Sequence, residues 1–183
     1  MKALLVIDVQ NGVYRWGEHT VEGGPALLGT VGGLISAARD AGIPIAFVQH
    51  ADEELVEGSD DFDLVEGLDV REGDIRVIKH HGSAFHDTDL LAQLASRDVD
   101  EVIVCGLQTE YCVDSTMRHA RTLDLPATLV SDANSTFDTQ ELSAERIIAH
   151  HNAVHGSYAR VVPASQVIGE LEGQSNKRIE PTP

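Results

Sequence analysis

Short apolar runs alternate along this chain with segments in which apolar residues recur at the spacing of a helix. The apolar runs, at 3–7, 44–48, 76–78, 102–104, 127–130 and 159–162, predict strands. Continuous runs of this kind are typical of parallel strands that are buried on both faces. Helices are predicted over 26–41, near 88–97, over 112–123 and over 140–153, with Gly42 as the stop of the first and Asp87 or Thr88 as the N-cap of the second.

The alternation of strands and helices predicts an α/β domain, with a parallel sheet and helices on both of its faces. In sheets of this class, ligands bind beyond the carboxyl ends of the strands. Asp8, Lys79 and Cys112 each lie at or just beyond the end of a predicted strand. The pattern therefore places a carboxylate, an ammonium group and a thiol at one edge of the sheet.

Cys112 is the most chemically suggestive of these three residues. The apolar run that begins at residue 102 stops at Gly106, and Cys112 follows six residues later, where a helix is predicted to begin. Free N–H groups and the positive end of a helix dipole both favour a thiolate, so Cys112 is predicted to be a reactive nucleophile. Cys105 lies inside the predicted strand and is expected to be a small buried apolar side chain.

The composition limits the kinds of molecule that the protein is expected to bind. The 183 residues suffice for one domain with a substantial core, and 42% hydrophobic and 23% charged residues are ordinary for a globular protein. A formal net charge of −17 repels nucleic acid and anionic membrane surfaces, so neither is an expected partner. Two cysteines form no disulfide framework, and no signal peptide or membrane-spanning run is recognisable, which predicts a cytoplasmic protein.

Two segments interrupt the alternation of strands and helices. Residues 51–74 contain eleven Asp or Glu residues and one arginine, and we expect a solvated acidic surface loop, with a lid or an interface as the alternatives. Residues 173–183 are polar and aperiodic, with two prolines, and are predicted to form a disordered tail. The folded domain is therefore predicted to span residues 1–172.

Three motifs occur together in this chain. They are Ile-Asp-Val-Gln-Asn at 7–11, Lys79 with Ser-Ala-Phe at 83–85 and Thr-Asp-Leu at 88–90, and Gly-Leu-Gln-Thr-Glu-Tyr-Cys-Val at 106–113. In this order and spacing they resemble the isochorismatase-like cysteine hydrolase superfamily, which includes nicotinamidases and N-carbamoylsarcosine amidases. The resemblance extends from residue 1 to about residue 168. It implies a Rossmann-like, three-layer α/β/α sandwich around a six-stranded parallel sheet.

The resemblance also implies a catalytic triad of Asp8, Lys79 and Cys112. Cys112 would be the nucleophile that forms a thioester, Asp8 the base that takes the thiol proton, and Lys79 the cation that holds Asp8 in place. The backbone N–H groups of Gln108 and Cys112 would stabilise the oxyanion, next to a cis peptide bond at Leu107–Gln108. The implied activity is metal-independent cleavage of a C–N bond in a small amide, ureide or lactam.

Two other functions remain open. One is hydrolysis of a vinyl ether, as in isochorismatases, which depend on the aspartate and usually lack the cysteine, so Cys112 weighs against it. The other is a binding protein that kept the fold and lost catalysis, although no residue of the triad is missing. The family also suggests a homo-oligomer, either a dimer or a tetramer, that acts on a small molecule.

No metal or other cofactor is expected. Among nine histidines, no two lie four apart with a glutamate between them, as a zinc hydrolase helix requires. Nicotinamidases carry an Asp-x-His metal motif after the second strand, whereas this chain has the reverse order, with His50 before Asp52. A Cys–His pair within one helix is also excluded, since His119 lies seven residues beyond Cys112, about 10 Å along the axis.

The wall of the substrate pocket is the least clearly marked part of the site. Its candidate residues are Val13, Trp16, His50, Phe85, Gln108 and Tyr111. For Trp16 and Phe85, ordinary packing in the core is the alternative.

Overall fold

Strands and helices alternate through the part of the chain that the structure describes. The structure is a computed structural model that describes residues 1–179, with side chains up to residue 174. The strands are β1 (Lys2–Ile7), β2 (Arg15–Trp16), β3 (His19–Thr20), β4 (Ile45–His50), β5 (Ile75–Lys79), β6 (Glu101–Leu107), β7 (Ala127–Ser135) and β8 (Arg160–Val162). The helices are α1 (Asn11–Tyr14), α2 (Gly24–Ala41), α3 (Leu90–Ala95), α4 (Asp114–Thr122), α5 (Ala144–His155) and α6 (Ala164–Ile179), with a π-helical turn (Thr109–Val113) before α4. None of these helices combines the length and apolar character that a membrane span requires.

Six of the strands form one sheet in which every neighbouring pair is parallel. The order across the sheet is β5–β4–β1–β6–β7–β8, and β2 and β3 form a separate antiparallel hairpin. This confirms the predicted six-stranded parallel sheet. The order also places the carboxyl ends of β5, β4, β1 and β6 next to one another, along one edge of the molecule.

The sheet is covered on both faces because its strands are apolar throughout. Alternate side chains of a strand point to opposite faces. Leu4 and Val6 of β1 belong to the core that includes α2 and α6, whereas Leu5 and Ile7 belong to the core that includes α3 and α4. The predicted three-layer α/β/α sandwich is therefore confirmed. The helix α2 ends at Gly42, which has a left-handed φ of 64°, as its sequence predicts.

Strands β1 and β6 approach each other closely at their carboxyl ends. Gly106 has a φ of +122°, and a Cβ atom at this position would lie 2.0 Å from the carbonyl oxygen of Ile7. Only glycine avoids this overlap. Gly106 is therefore required at the point where β6 ends beside the strand that leads into Asp8.

Some elements differ from those predicted. The helix predicted from residue 112 begins earlier, as the π-helical turn at Thr109, and β7 continues beyond the predicted strand to Ser135. Helix α1 and the β2–β3 hairpin were not predicted, because elements of two to four residues leave no periodic signal. Helix α6 continues to Ile179, so it crosses the domain boundary predicted after residue 172. Residues 180–183 of the predicted tail lie outside the described residues.

The acidic segment 51–74 contains no helix and only an isolated β-bridge, but it is attached to the carboxyl end of β1. The N–H of Val65 donates to the carbonyl of Val9 at 3.0 Å, and the N–H of Asn11 donates to the carbonyl of Asp63 at 2.9 Å. Phe62, between these contacts, is buried. The expectation of a solvated acidic surface loop holds for its acidic side chains, since ten of the eleven are exposed. Its backbone, however, is attached to the residues that follow β1, and the segment forms a wall beside the strand ends.

Candidate active site

Side chains at or just beyond the carboxyl ends of four neighbouring strands meet at one edge of the sheet. Asp8 directly follows β1, His50 is the last residue of β4, and Lys79 is the last residue of β5. Cys112 lies in the π-helical turn that follows β6. The structure thus brings together the three residues that the strand pattern placed at this edge, and it adds His50 to them.

The ammonium group of Lys79 lies at the centre of this cluster. Lys79 is fully buried. Its Nζ lies 2.7 Å from Asp8 Oδ2, 3.1 Å from His50 Nδ1 and 3.2 Å from Cys112 Sγ. An ammonium group has three N–H donors, which matches the number of these neighbours. The lysine therefore links the carboxylate, the imidazole and the thiol.

Asp8 is a buried carboxylate with a fixed backbone. Its φ of +47° lies in the left-handed region, which aspartate tolerates better than most residues, and its N–H donates to the carbonyl of Val48 at 2.8 Å. Burial raises the pKa of Asp8 above its ordinary value, and the ammonium group of Lys79 opposes this rise. A carboxylate with a raised pKa is a stronger base than an ordinary aspartate, which suits it to accept a proton.

The surroundings of Cys112 favour the thiol over the thiolate. Burial raises its pKa to about 12, and the negative charge of Asp8 adds to the rise, whereas Lys79 opposes it. Burial beside a carboxylate thus opposes the thiolate that the start of a helix was expected to favour. Cys105, in β6, is fully buried, as its position in the strand predicts.

His50 is oriented by contacts on both sides of its ring. Since Lys79 donates to Nδ1, the ring proton is on Nε2, which lies 3.3 Å from Asp52 Oδ2. Burial lowers the pKa of His50, and the charge of Lys79 lowers it further, so the imidazole is neutral at pH 7. The amide of Gln10 binds the backbone of His50, accepting from its N–H at 2.7 Å and donating to its carbonyl at 2.9 Å. Gln10 was not among the predicted site residues, although it belongs to the motif at 7–11.

Three residues of this cluster carry atoms of the kinds that bind metals. One ligand atom each of Asp8, His50 and Cys112 lies within 4.8 Å of the others. The ammonium group of Lys79, however, contacts all three residues. A divalent cation between them would have to displace this ammonium group or lie against its positive charge. The arrangement therefore fits a cluster whose cation is the lysine itself.

Buried hydrogen bonds hold the π-helical turn that carries Cys112. The hydroxyl of Thr109 donates to Asn134 Oδ1 at 2.7 Å, and Asn134 Nδ2 donates to the carbonyl of Val130 at 3.0 Å. Both Thr109 and Asn134 are buried, so this contact ties the turn to the neighbouring strand β7. Sequence reasoning did not identify either residue, because the contact joins positions 25 residues apart.

The turn begins at Gln108, one of the predicted oxyanion residues. The Leu107–Gln108 peptide bond is cis, which is the geometry that the resemblance implied. The carbonyl of Gln108 accepts hydrogen bonds from the N–H groups of Tyr111 at 3.1 Å and Val113 at 3.2 Å. The backbone of Gln108 is therefore fixed relative to the turn, and its role as an oxyanion donor, together with that of Cys112, stays a prediction.

A cavity of about 750 Å³ opens in front of Cys112. The residues predicted for its wall that do line it are Val13, Trp16, His50, Gln108 and Tyr111. Trp16 is 80% exposed and Tyr111 is 59% exposed, so both rings are available to a ligand. Its volume lies within the range of ordinary ligand sites, so the cavity is large enough for a small organic molecule.

The charged groups around this cavity are mainly acidic. Asp52, Glu54 and Asp61 line it with one arginine, Arg15, which is paired with Asp60. An adjoining cavity of about 530 Å³ is lined by three further carboxylates and by no lysine or arginine. The field at the entrance therefore favours cationic or neutral ligands over anionic ones.

Phe85 does not line the cavity, so its prediction as a wall residue is wrong. It belongs to the core that includes α3 and α4, and its ring meets that of His119 edge-on, with the centroids 5.9 Å apart. The loop after β5 turns this side chain inward, since the N–H of Ala84 donates to the hydroxyl of Thr116 on α4 at 3.0 Å. The loop therefore uses Phe85 to pack against α4.

This chain is similar to a solved structure and to several named proteins. A crystal structure of a cysteine hydrolase from Pseudomonas syringae pv. phaseolicola has a TM-score of 0.87 with this chain at 25% identity, covering 94% of this chain and 93% of that one. Streptothricin hydrolase of Streptomyces noursei is 34% identical over 146 residues, which is 75% of this chain and 51% of that protein.

Two further relatives have names that indicate different functions. The ureidoacrylate amidohydrolase RutB of Variovorax paradoxus is 25% identical over 169 residues, which is 72% of this chain and 67% of that protein. A protein of Arabidopsis thaliana named "probable inactive nicotinamidase" is 31% identical over 173 residues, which is 82% of this chain and 88% of that protein.

A family model, the isochorismatase domain, matches residues 2–155. The matched range is most of the chain, and it includes Asp8, His50, Lys79 and Cys112. The chain therefore belongs to the isochorismatase family of hydrolases.

Proposed function

We propose that this protein is a metal-independent cysteine hydrolase that cleaves a C–N bond of a small amide, ureide or lactam through a thioester. The observation that carries the proposal is the contact of Lys79 with both Asp8 and Cys112, at 2.7 and 3.2 Å, beside the 750 Å³ cavity. The relative named as an amidohydrolase supports the same class of reaction.

In the first step, the sulfur of Cys112 attacks the substrate carbonyl while its proton moves to Asp8. A thiol with a pKa of about 12 is a weak nucleophile at neutral pH, so it needs a base as it attacks. Asp8 becomes a neutral carboxylic acid and the carbonyl oxygen becomes an oxyanion. The total charge of the cluster does not change, which is an advantage in a buried site where isolated charges are costly.

In the second step, the tetrahedral intermediate expels the nitrogen. The C–N bond breaks, the proton on Asp8 passes to the leaving nitrogen, and the acyl group remains on Cys112 as a thioester. Water then attacks the thioester and gives a proton to Asp8. When the C–S bond breaks, the sulfur recovers this proton, and both residues return to their initial states with a carboxylic acid as product.

Lys79 acts as a fixed cation throughout these steps. Its ammonium group orients Asp8 through the 2.7 Å contact and lies 3.2 Å from the attacking sulfur. It therefore stabilises negative charge as this charge moves from the carboxylate to the substrate oxygen. His50 Nδ1 lies 3.1 Å from Lys79 Nζ, on a third side of the ammonium group, and so restricts its position.

The oxyanion is bound by the backbone N–H groups of Gln108 and Cys112. Fixed donors of this kind need no reorganisation when charge develops, so they stabilise the transition state more than the substrate. Support for this assignment comes from the hydrogen bonds that anchor the carbonyl of Gln108 and the side chain of Thr109.

The reaction is tested by measuring amine or ammonia release from a panel of small amides, ureides and lactams. We expect Cys112→Ala and Asp8→Asn to lose at least 10³-fold in turnover, which is the scale for removal of a nucleophile or its base. Cys105→Ala is the matched control, because it removes the other cysteine and should retain turnover. Full activity of Cys112→Ala on a C–N substrate would refute the proposal. Turnover of a vinyl ether by Cys112→Ala would instead support the isochorismatase-type reaction.

The family resemblance also leads us to propose a homo-oligomer, either a dimer or a tetramer. Light scattering during size-exclusion chromatography measures the mass directly. A mass of one chain, 19.7 kDa, across the working concentration range would refute this assignment.

A further inference from the structure

A second group of metal-binding side chains lies outside the catalytic cavity, in the loop after β5. His81 Nε2 lies 3.4 Å from Asp87 Oδ2, and His86 Nε2 lies 3.7 Å from the same oxygen. A ligand atom from each of the three residues lies within 4.8 Å of the others. None of them lines the cavity in front of Cys112.

The imidazole rings of His81 and His86 are stacked. Their centroids are 4.0 Å apart and the rings are inclined by only 18°. The stacking holds the two rings side by side next to the carboxylate of Asp87, so two imidazole nitrogens and a carboxylate oxygen are presented together on one side of the loop.

The loop that carries these residues is held from the opposite side. The N–H of Ala84 donates to the hydroxyl of Thr116 on α4 at 3.0 Å, and the hydroxyl of Ser83 lies 2.9 Å from His119 Nδ1. The hydroxyl of Thr88 donates to the carbonyl of Ala84 at 2.6 Å, which closes the loop on itself. The backbone between the two histidines is therefore fixed before any ligand binds, which reduces the entropy lost on binding.

We propose that His81, His86 and Asp87 bind a divalent transition metal ion. Two imidazole nitrogens and one carboxylate oxygen are ligands that suit Zn²⁺, Co²⁺, Ni²⁺ and Cu²⁺, whereas Mg²⁺ and Ca²⁺ prefer oxygen alone. The ion would have three ligands from the protein and would complete its coordination with water. All three side chains are exposed, so the ion can reach them directly, and small rotations of the side chains bring the donor atoms to coordination distance.

The site differs from the catalytic cluster in the source of its positive charge. Lys79 supplies the cation between Asp8, His50 and Cys112. Among the described residues, no lysine or arginine contacts His81, His86 or Asp87, so their acceptor atoms are available to an ion. Binding would couple both ends of a loop that packs on α4, and it would therefore stabilise the folded state by mass action.

Titration calorimetry with ZnCl₂ tests the proposal. The parent protein should be Cys112→Ala, so that the catalytic thiol takes no part in metal binding. We expect this parent to bind one Zn²⁺, and expect His81→Ala with His86→Ala in the same background to weaken binding at least 100-fold. His150→Ala with His151→Ala is the matched control, because it also removes two histidines whose rings contact each other, and it should bind as the parent does.

Two further readouts separate a metal site from a structural effect. The parent should show the visible absorption of coordinated Co²⁺ and a rise in Tm with Zn²⁺ that EDTA reverses, and the His81/His86 double variant should show neither. Its Tm without metal should match that of the parent, which shows that the loop still folds. Absence of Zn²⁺ binding to the parent, or equal binding by the parent and the double variant, would overturn the proposal. Neither outcome bears on the cysteine chemistry, which the activity assay tests separately.

Discussion

Replacing Lys79 with methionine would leave Asp8 as a buried carboxylate without a cation. In the native protein neither side chain is accessible to solvent by more than 1%, and Nζ lies 2.7 Å from Asp8 Oδ2. Removing one partner of such a buried pair costs about 3–5 kcal/mol of folding free energy. If Asp8 instead binds a proton, protonating at pH 7 a carboxyl group whose ordinary pKa is 3.8 costs about 4 kcal/mol, at ~1.4 kcal/mol per pH unit. We therefore expect the free energy of unfolding to fall by about 3–5 kcal/mol at pH 7.

The size of this loss depends on pH through Asp8. Burial raises the pKa of Asp8 in the folded protein, and loss of the Lys79 ammonium group would raise it further. Between the unfolded value of 3.8 and the raised folded value, the native state binds more protons than the unfolded state, so stability falls as pH rises. The penalty of Lys79→Met should therefore be small near pH 4 and reach its full size at neutral pH.

Urea denaturation at pH 4.5 and pH 7.5 measures this effect. Adding Asp8→Asn to Lys79→Met removes the buried charge and should restore most of the stability at pH 7.5, with activity still absent. Lys2→Met is the control, because Lys2 is partly exposed and its pair with Glu101 is worth at most about 1 kcal/mol. A loss below about 1 kcal/mol for Lys79→Met at pH 7.5, or an equal loss at both pH values, would refute the buried ion pair.

Three other predictions concern the strand contact, the thiol and the cavity entrance. Gly106→Ala should lower Tm by about 10 °C or more or prevent folding, because its Cβ would lie 2.0 Å from the Ile7 carbonyl oxygen. Gly29→Ala is the control, because a Cβ at this helical position meets open space and should raise Tm slightly. Equal Tm values of the two variants in thermal melts would contradict this prediction. Alkylation of Cys112 by iodoacetamide should accelerate from pH 7 to pH 10 without a plateau, since its pKa is about 12, and a plateau below pH 8 would disprove the resting thiol. At low salt, an amide that bears an ammonium group should have a kcat/KM roughly tenfold above that of an anionic amide of equal size. Glu54→Gln should reduce this ratio, because it removes one negative charge from the wall of the cavity. A preference for the anionic amide would exclude steering by the acidic entrance.

The sheet and the position of the site follow from local patterns in the sequence. Each central strand is a continuous apolar run, and alternation with helices leaves parallel pairing as the natural arrangement. Parallel strands end at the same edge, so Asp8 and Lys79 could be placed together although they lie 71 residues apart in the chain. The short elements between β1 and α2 gave no such signal, because two-residue strands show no period.

The state of the Cys112 thiol could not be derived from the sequence. The position of Cys112 after a strand suggested a helix N-terminus and hence a thiolate, and this argument used only the local chain. The structure adds burial and the charge of Asp8, which come from a distant strand and act in the opposite direction. The prediction of a nucleophile is compatible with either state, but the need for a base follows only from the raised pKa.

The environment of the site depends on contacts between distant segments, and these were missed. The acidic segment 51–74 is a solvated surface loop, as its charge predicts, but its backbone hydrogen bonds to Val9 and Asn11 are not visible in the sequence. Phe85 was assigned to the pocket from its place in a motif, but the hydrogen bond from Ala84 to Thr116 turns it into the core. Partners that lie far apart in the chain decide these orientations.

The central claim is that Cys112 forms a covalent bond to the acyl group of its substrate, with Asp8 as the base. Intact-protein mass spectrometry after acid quench tests it most directly, with any amide that the wild-type protein hydrolyses. We predict an increase in mass equal to the substrate minus its leaving amine, located by peptide mapping at Cys112 and absent from Cys112→Ala but retained in Cys105→Ala. Hydrolysis that proceeds in Cys112→Ala at the wild-type rate, with no adduct in either protein, would contradict the account.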